Sequence, residues 1–125
     1  MLASARAWWV EFDDDKLPPV KAIKKYGIVA CKFATTDRGT TEAIIVFRRS
    51  THYITVTNLL RQLSIRSYTA WFARGTWNDC FARLSIYNKK TQTNIFGPIV
   101  STSGKWNKVL NARPSPIRII KYLST

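Results

Sequence analysis

Tyr87, in the stretch "IYNKK" (86–90), is the side chain with the plainest chemical potential in this chain. If residues 77–90 form a helix, Arg83, Tyr87 and Lys90 stand at i, i+4 and i+7 and share one face. A phenol between two cations suits attack on a phosphodiester, because nearby positive charge favours the phenolate and holds a scissile phosphate. The same spacing describes an ordinary helix end, where cations complement the helix dipole. Both readings stay open at this level. Three classes of function follow: a DNA-nicking enzyme, a nucleic-acid-binding module without catalysis, and a protein-interaction piece.

The elements that must carry these residues alternate. "RAWWVEF" (6–12) reads as a strand ended by "DDD". "LPPVKAIKKYG" (17–27) reads as a short helix that tolerates proline in its first turn and stops at Gly27. "IVACKFATT" (28–36) and "TTEAIIVFRR" (40–49) form a hairpin across the turn "DRG" (37–39). Val56, Leu59, Leu60 and Leu63 recur at helical spacing, a stripe suited to packing on a sheet. "SYTAWFARG" (67–75) is strand-like. "TWNDCFARLSIYNKK" (76–90) fits a helix capped by Thr76, with Asp79 in its first turn and Trp77, Phe81 and Leu84 as its anchoring stripe. "TNIFG" (93–97) reads as a last strand. This order favours an α+β fold, an antiparallel sheet of about five strands with helices packed on one face and the opposite face free for ligand.

Charge narrows the partners. The 125 residues carry a formal net charge of +13. Residues 1–42 are nearly balanced, whereas 43–125 hold thirteen Lys/Arg against the single acid Asp79. So lopsided a basic surface most often meets phosphate. Membrane is disfavoured, since no segment pairs a long apolar face with a lysine-rich one. Cys31 and Cys80 lie far apart, with one histidine in the chain, so a zinc site is not expected and a reducing, intracellular setting is. At this length one domain suffices. Residues 1–98 make up its body, and 99–125, basic and interrupted by Pro114 and Pro116, an extension docked on the same domain.

The candidate phosphate contacts are Arg48, Arg49, Arg61, Arg66, Arg74, Arg83, Lys89 and Lys90. Aromatic residues interleave with them: Trp8, Trp9, Tyr68, Trp71, Phe72 and Trp77. On an open sheet face such rings stack unpaired bases. Alternation puts Tyr68 and Phe72 on one face and Trp71 on the other, so one set belongs to the core.

Three stretches, "VEFDD" (10–14), "GTTEAIIVFRR" (39–49) and "ARGTWNDCFARLSIYNKK" (73–90), stand in the order of three family motifs. Over roughly residues 6–98 the chain resembles the N-terminal domain of replication-initiator (Rep) proteins of circular single-stranded DNA viruses, of the nanovirus and circovirus type, which are HUH endonucleases. The last stretch is the closest match, with Arg74, Gly75, Thr76, Tyr87 and Lys90 in place. The resemblance implies a ferredoxin-like, HUH Rep-type sheet, Tyr87 as nucleophile with Lys90 beside it, and a Mg²⁺ or Mn²⁺ ion activating the phosphate.

The chain departs from the family at the metal. The family's His and Gln ligand positions fall on Thr40 and Glu42, and its upstream acid falls near Cys31 or Lys32. Glu42 is left as the one metal candidate, and a single carboxylate binds hard cations weakly. The expectation is therefore a Rep-derived protein that binds single-stranded or origin DNA, with nicking lost or weakened and no cofactor unless nicking persists. An active nickase forming a Tyr87–DNA adduct, or an RNA-binding viral accessory protein resembling a silencing suppressor, are the alternatives. A DNA-virus origin implies the host nucleus, and a full-length Rep or a second copy as a further partner.

Overall fold

In this computed structural model, residues 4–13, 26–36, 38–65, 67–87, 93–96, 110–111 and 120–123 are described, with only the backbone for 85–87, 93–96 and 120–123. Six strands, β1 (Ser4–Phe12), β2 (Ile28–Thr35), β3 (Thr41–His52), β4 (Ser67–Phe72), β5 (Thr93–Phe96) and β6 (Ile120–Leu123), form one sheet in the order β5-β2-β3-β1-β4-β6. Every pairing is antiparallel. Two helices accompany them, α1 (Tyr53–Gln62) and α2 (Trp77–Tyr87). The fold is α+β, as the element order predicts. The helix expected over 17–27 lies largely outside the described residues. Gly27, its expected stop, has φ +75°, and its carbonyl accepts a hydrogen bond from Arg48 N at 2.8 Å.

Two features of the expected architecture need correction. The sheet has six strands rather than about five, because Ile120–Leu123 of the basic extension pairs with β4. The helices also lie on opposite faces rather than one. Val56, Leu59 and Leu60 of α1 share a core with Trp8, Val10, Phe12, Ile45, Phe47 and Phe72. Trp77, Cys80, Phe81 and Leu84 of α2 share another with Ala7, Trp9, Ala30, Ala34, Ile44 and Val46. The reason is visible in the strands: Trp8-Trp9 and "AIIVF" are apolar at successive positions, so both faces must be covered. Among the described residues, neither face is left open for stacking bases. Trp8, Trp9, Tyr68, Phe72 and Trp77 are all buried, and of the aromatic set only Trp71 is half-exposed.

Local chemistry fixes where the helices start. His52 caps α1, its Nδ1 accepting from Ile54 N at 3.2 Å. At α2, Asp79 N donates to the Thr76 hydroxyl at 3.1 Å, and Thr76 N donates to the Asp79 carboxylate at 3.0 Å. This reciprocal box satisfies two backbone donors. Gly75 precedes it at φ +85°, and a Cβ there would stand 2.9 Å from Asp79 Oδ2. The sequence Gly75-Thr76-x-x-Asp79 therefore has a complete local explanation as a helix start.

Candidate functional site

Among the described residues, the buried charged side chains lie on the sheet face under α2. On β3, Glu42 stands on the same face as Ile44 and Val46, as period-two geometry requires. Its Cα partner on β1 is Glu11, two positions along from Trp9. On β2, Lys32 pairs with Ile44 and Ala34 with Glu42, placing Lys32 on this face as well. Glu42 and Lys32 are both buried, at 8% and 3% exposure.

Their surroundings pull in different directions. Burial pushes the Glu42 carboxyl up from the usual carboxylate range and the neighbouring Glu11 charge adds to it, while Arg38 and Arg83 oppose the shift. Arg38 Nη2 is 3.8 Å from Glu42 Oε1, a long pair from an exposed side chain. Burial lowers the Lys32 ammonium below its ordinary value. Lys32 Nζ donates to Phe81 O at 3.2 Å and lies 3.8 Å from the Phe81 ring centre. Thr40, the other position matching the family's ligand pair, has its hydroxyl 2.6 Å from that of Thr36 in the β2–β3 turn.

Helix α2 crosses this face with a direction. Its start lies near Ala7, since Ala73 N donates to Ala7 O. Further along, Phe81 meets Lys32, and Arg83 reaches electrostatically to Glu42. Tyr87, the helix's last residue, follows one turn past Arg83. Arg83 is itself engaged: Nη2 donates to Arg74 O at 3.1 Å, and its guanidinium sits 4.9 Å from the Trp9 ring centre. Trp9 and Trp71 are Cα partners with ring centres 6.3 Å apart, so Arg83, Trp9 and Trp71 form a row beside the helix. Cys80 is buried, its thiol pushed up to about 11 by burial, and is unsuited to nucleophilic work.

The structure brings together Glu42, Arg83, Trp71 and the helix that ends in Tyr87. Arg48 and Arg49 are exposed on β3 near its far end, Arg61 is exposed in the last turn of α1, and Arg74 is exposed before α2. Arg66, Lys89 and Lys90 lie outside the described residues, so the proposed Arg83–Tyr87–Lys90 face is described only through Arg83 and the backbone of Tyr87. Sequence reasoning missed Glu11 and Lys32 as members of the face. Lys32 carried a signal, a lone charge inside the apolar strand "IVACKFAT"; Glu11 did not, because its pairing with Glu42 depends on β1 lying next to β3. Among the described residues, no cluster of three or more His, Cys, Asp or Glu is placed to hold a metal ion, and no helix is long and apolar enough to cross a membrane. Compared with family models, curated proteins and solved structures, the chain matches none.

Proposed function

We propose that this chain is a nucleic-acid-binding domain of the replication-initiator type that grips single-stranded or origin DNA and in which nicking is lost or weakened. The observation that carries the reading is the placement of Glu42 on the face crossed by the tyrosine-ended helix, between the charges of Arg38 and Arg83. Two further features support it. The central strands run β2-β3-β1-β4, all antiparallel, the order of a ferredoxin-like split βαβ fold. The net charge of +13 supplies attraction for a polyanion.

The residues present do not suit a catalytic divalent cation. Glu42 has the charges of Arg38 and Arg83 acting on it, and its carboxyl holds its proton more tightly than usual. The Thr40 hydroxyl is bonded to Thr36. Glu11 offers a second carboxylate, but hard cations want several oxygen ligands and no competing positive charge. A metal that is held weakly supplies little of the several kcal/mol of charge stabilisation that phosphoryl chemistry draws from it. Tyr87 then lacks an activated electrophile, and Arg83, the one cation of this helix, serves to hold phosphate.

The test is a pair of assays on the intact chain. Fluorescence titration with single-stranded DNA should give an affinity that falls with salt, with a log–log slope of roughly −4 if six phosphates are engaged. Incubation of a hairpin-bearing single strand with Mn²⁺ should leave no covalent protein–DNA adduct. A Mn²⁺-dependent adduct that disappears in Tyr87→Phe would establish a working nuclease instead. Salt-insensitive binding would remove the electrostatic account. Stronger competition by matched RNA would turn the reading towards an RNA-binding accessory protein.

A further inference from the structure

At the opposite end of β1 from Glu11, the pairing with β3 breaks. Ala7 pairs with Val46 and Ala5 with Thr51, so four β3 residues, 47–50, stand opposite the single residue Arg6. The irregularity turns the chain over: Ala5 joins the core under α1, whereas Ala7 joins the core under α2. It is firmly held. Trp8 Nε1 donates to both Ala5 O and Thr51 O at 3.1 Å, and Arg6 Nε donates to Phe47 O at 3.2 Å. Such bulges re-aim side chains and recur beside binding sites.

A cavity of about 300 Å³ opens at this break, lined by Ser4, Ala5, Arg6, Ser50, Phe72, Leu110 and Asn111. One wall is fixed by Asn111. Its Nδ2 donates to Ala7 O at 2.9 Å and to Ala73 O at 2.8 Å, and its Oδ1 accepts from Arg6 N at 3.2 Å and, more weakly, from Ala7 N. Leu110 N donates to Gly75 O at 2.9 Å. The Asn111 side chain is thus committed to the frame. Among the described residues the Arg6 guanidinium donates through its Nε alone, which leaves its terminal nitrogens beside the cavity. Arg48 and Arg49, both exposed, directly precede Ser50 in the arched stretch.

We propose that this cavity is a nucleotide pocket, taking one nucleoside monophosphate unit with its base against Phe72, Ala5 and Leu110 and its phosphate on Arg6. The volume lies at the small end of ligand cavities, too small for a dinucleotide cofactor. The lining joins an apolar wall to two hydroxyls and a guanidinium, and among the described residues no acidic side chain is part of it. A planar apolar body with an attached anion meets both requirements, and a guanidinium fork is suited to phosphate. The inference rests on the nucleic-acid-binding reading but concerns a separate place: Arg6 and Glu11 are five positions apart on β1, roughly 17 Å along the strand. It needs neither Tyr87 nor a metal.

Calorimetry on the full chain with thymidine 5′-monophosphate, thymidine and inorganic phosphate tests it. The monophosphate should bind at least tenfold more tightly than either fragment. Arg6→Gln should remove that advantage and Arg6→Lys restore part of it, with thermal unfolding showing each variant folded. A competing oligonucleotide carrying a 5′-phosphate, set against one with a 5′-hydroxyl, shows whether the unit is a strand terminus, an internal nucleotide or a free nucleotide. Binding of thymidine equal to that of its monophosphate, or an unaltered monophosphate affinity in folded Arg6→Gln, would overturn the pocket. Oligonucleotide binding that survives such a result would leave the broader reading intact. Monophosphate binding without any oligonucleotide binding would sustain the pocket and sink the broader reading.

Discussion

The two faces of the sheet are built to different rules. Under α1 the core is apolar almost throughout, and its buried phenol, Tyr68, donates to or accepts from Thr57 Oγ1 at 2.6 Å. Under α2 the sheet carries a buried carboxylate and a buried ammonium, with a second carboxylate opposite the first. Burying charge opposes folding unless partners offset it, and here the ion pair offered to Glu42 is long and exposed. The first face is what folding requires. The second is where folding is compromised, and such compromises concentrate at functional sites.

Substitutions separate the two faces. The largest effect belongs to the apolar one: Leu60→Ala, which empties a fully buried site, should lower unfolding free energy by about 2–5 kcal/mol in chemical denaturation. It should leave the DNA affinity of the folded fraction unchanged, and an equal loss of affinity would show that both faces serve binding. Next comes Gly75→Ala. The left-handed backbone alone costs roughly 1–2 kcal/mol for a residue with a Cβ, and contact with Asp79 disrupts the cap further. Thr76→Ala, which removes the cap's hydroxyl, should lose about 1 kcal/mol. The cap is also acid-sensitive. The Asp79 carboxyl is held low by its hydrogen bonds to Thr76, so the stability it contributes is present above the unfolded value of 3.8 and lost as pH falls through the lower folded value.

Smaller effects of opposite sign mark the charged face. A carboxyl raised in the folded state binds its proton more tightly there than in the unfolded chain. Stability at Glu42 is therefore lost as pH rises from the unfolded value of 4.5 through the raised folded value. Glu42→Gln should flatten that part of the profile and, near neutral pH, raise stability by up to about 1 kcal/mol, since an exposed partner such as Arg38 returns little. A loss of stability above pH 6 in thermal scans would mean that Glu42 is a true ion-pair anchor. For Lys32, the burial penalty acts below its lowered folded value and is relieved as pH climbs towards 10.5. Lys32→Met, which keeps the aliphatic stem and drops the charge, should change stability by less than about 1 kcal/mol. A loss of several kcal/mol would make the Lys32–Phe81 contact the tie that holds α2 to the sheet.

Much of the site was legible because it depends on short-range rules. The apolar stripe of α1, the Thr76 start of α2 and the β2–β3 hairpin follow from spacing, capping and turn chemistry within a few residues. The Gly75–Thr76–Asp79 pattern illustrates a hazard in that legibility. Its Gly75 and Thr76 count towards the Rep resemblance, yet the helix start explains them in full. The coverage of both faces was also written in the consecutive apolar residues of β1 and β3, although alternating helices and strands pointed to one covered face. Asn111 escaped notice because a single amide in a basic tail carries no local sign that it ties together β1, Ala73 and the cavity wall.

By itself, the order of residues determined the alternation of strands and helices, the helix that carries Tyr87, and a strongly positive total charge. Those properties arise from neighbours in the chain and from total charge, which need no partner from elsewhere. Tertiary structure alone decided that Glu11 faces Glu42, that Lys32 lies beneath Phe81, and that Arg6 overlooks a cavity closed by Asn111. Each depends on which strands become neighbours and in what register, and a shift of one residue would turn every such side chain to the opposite face.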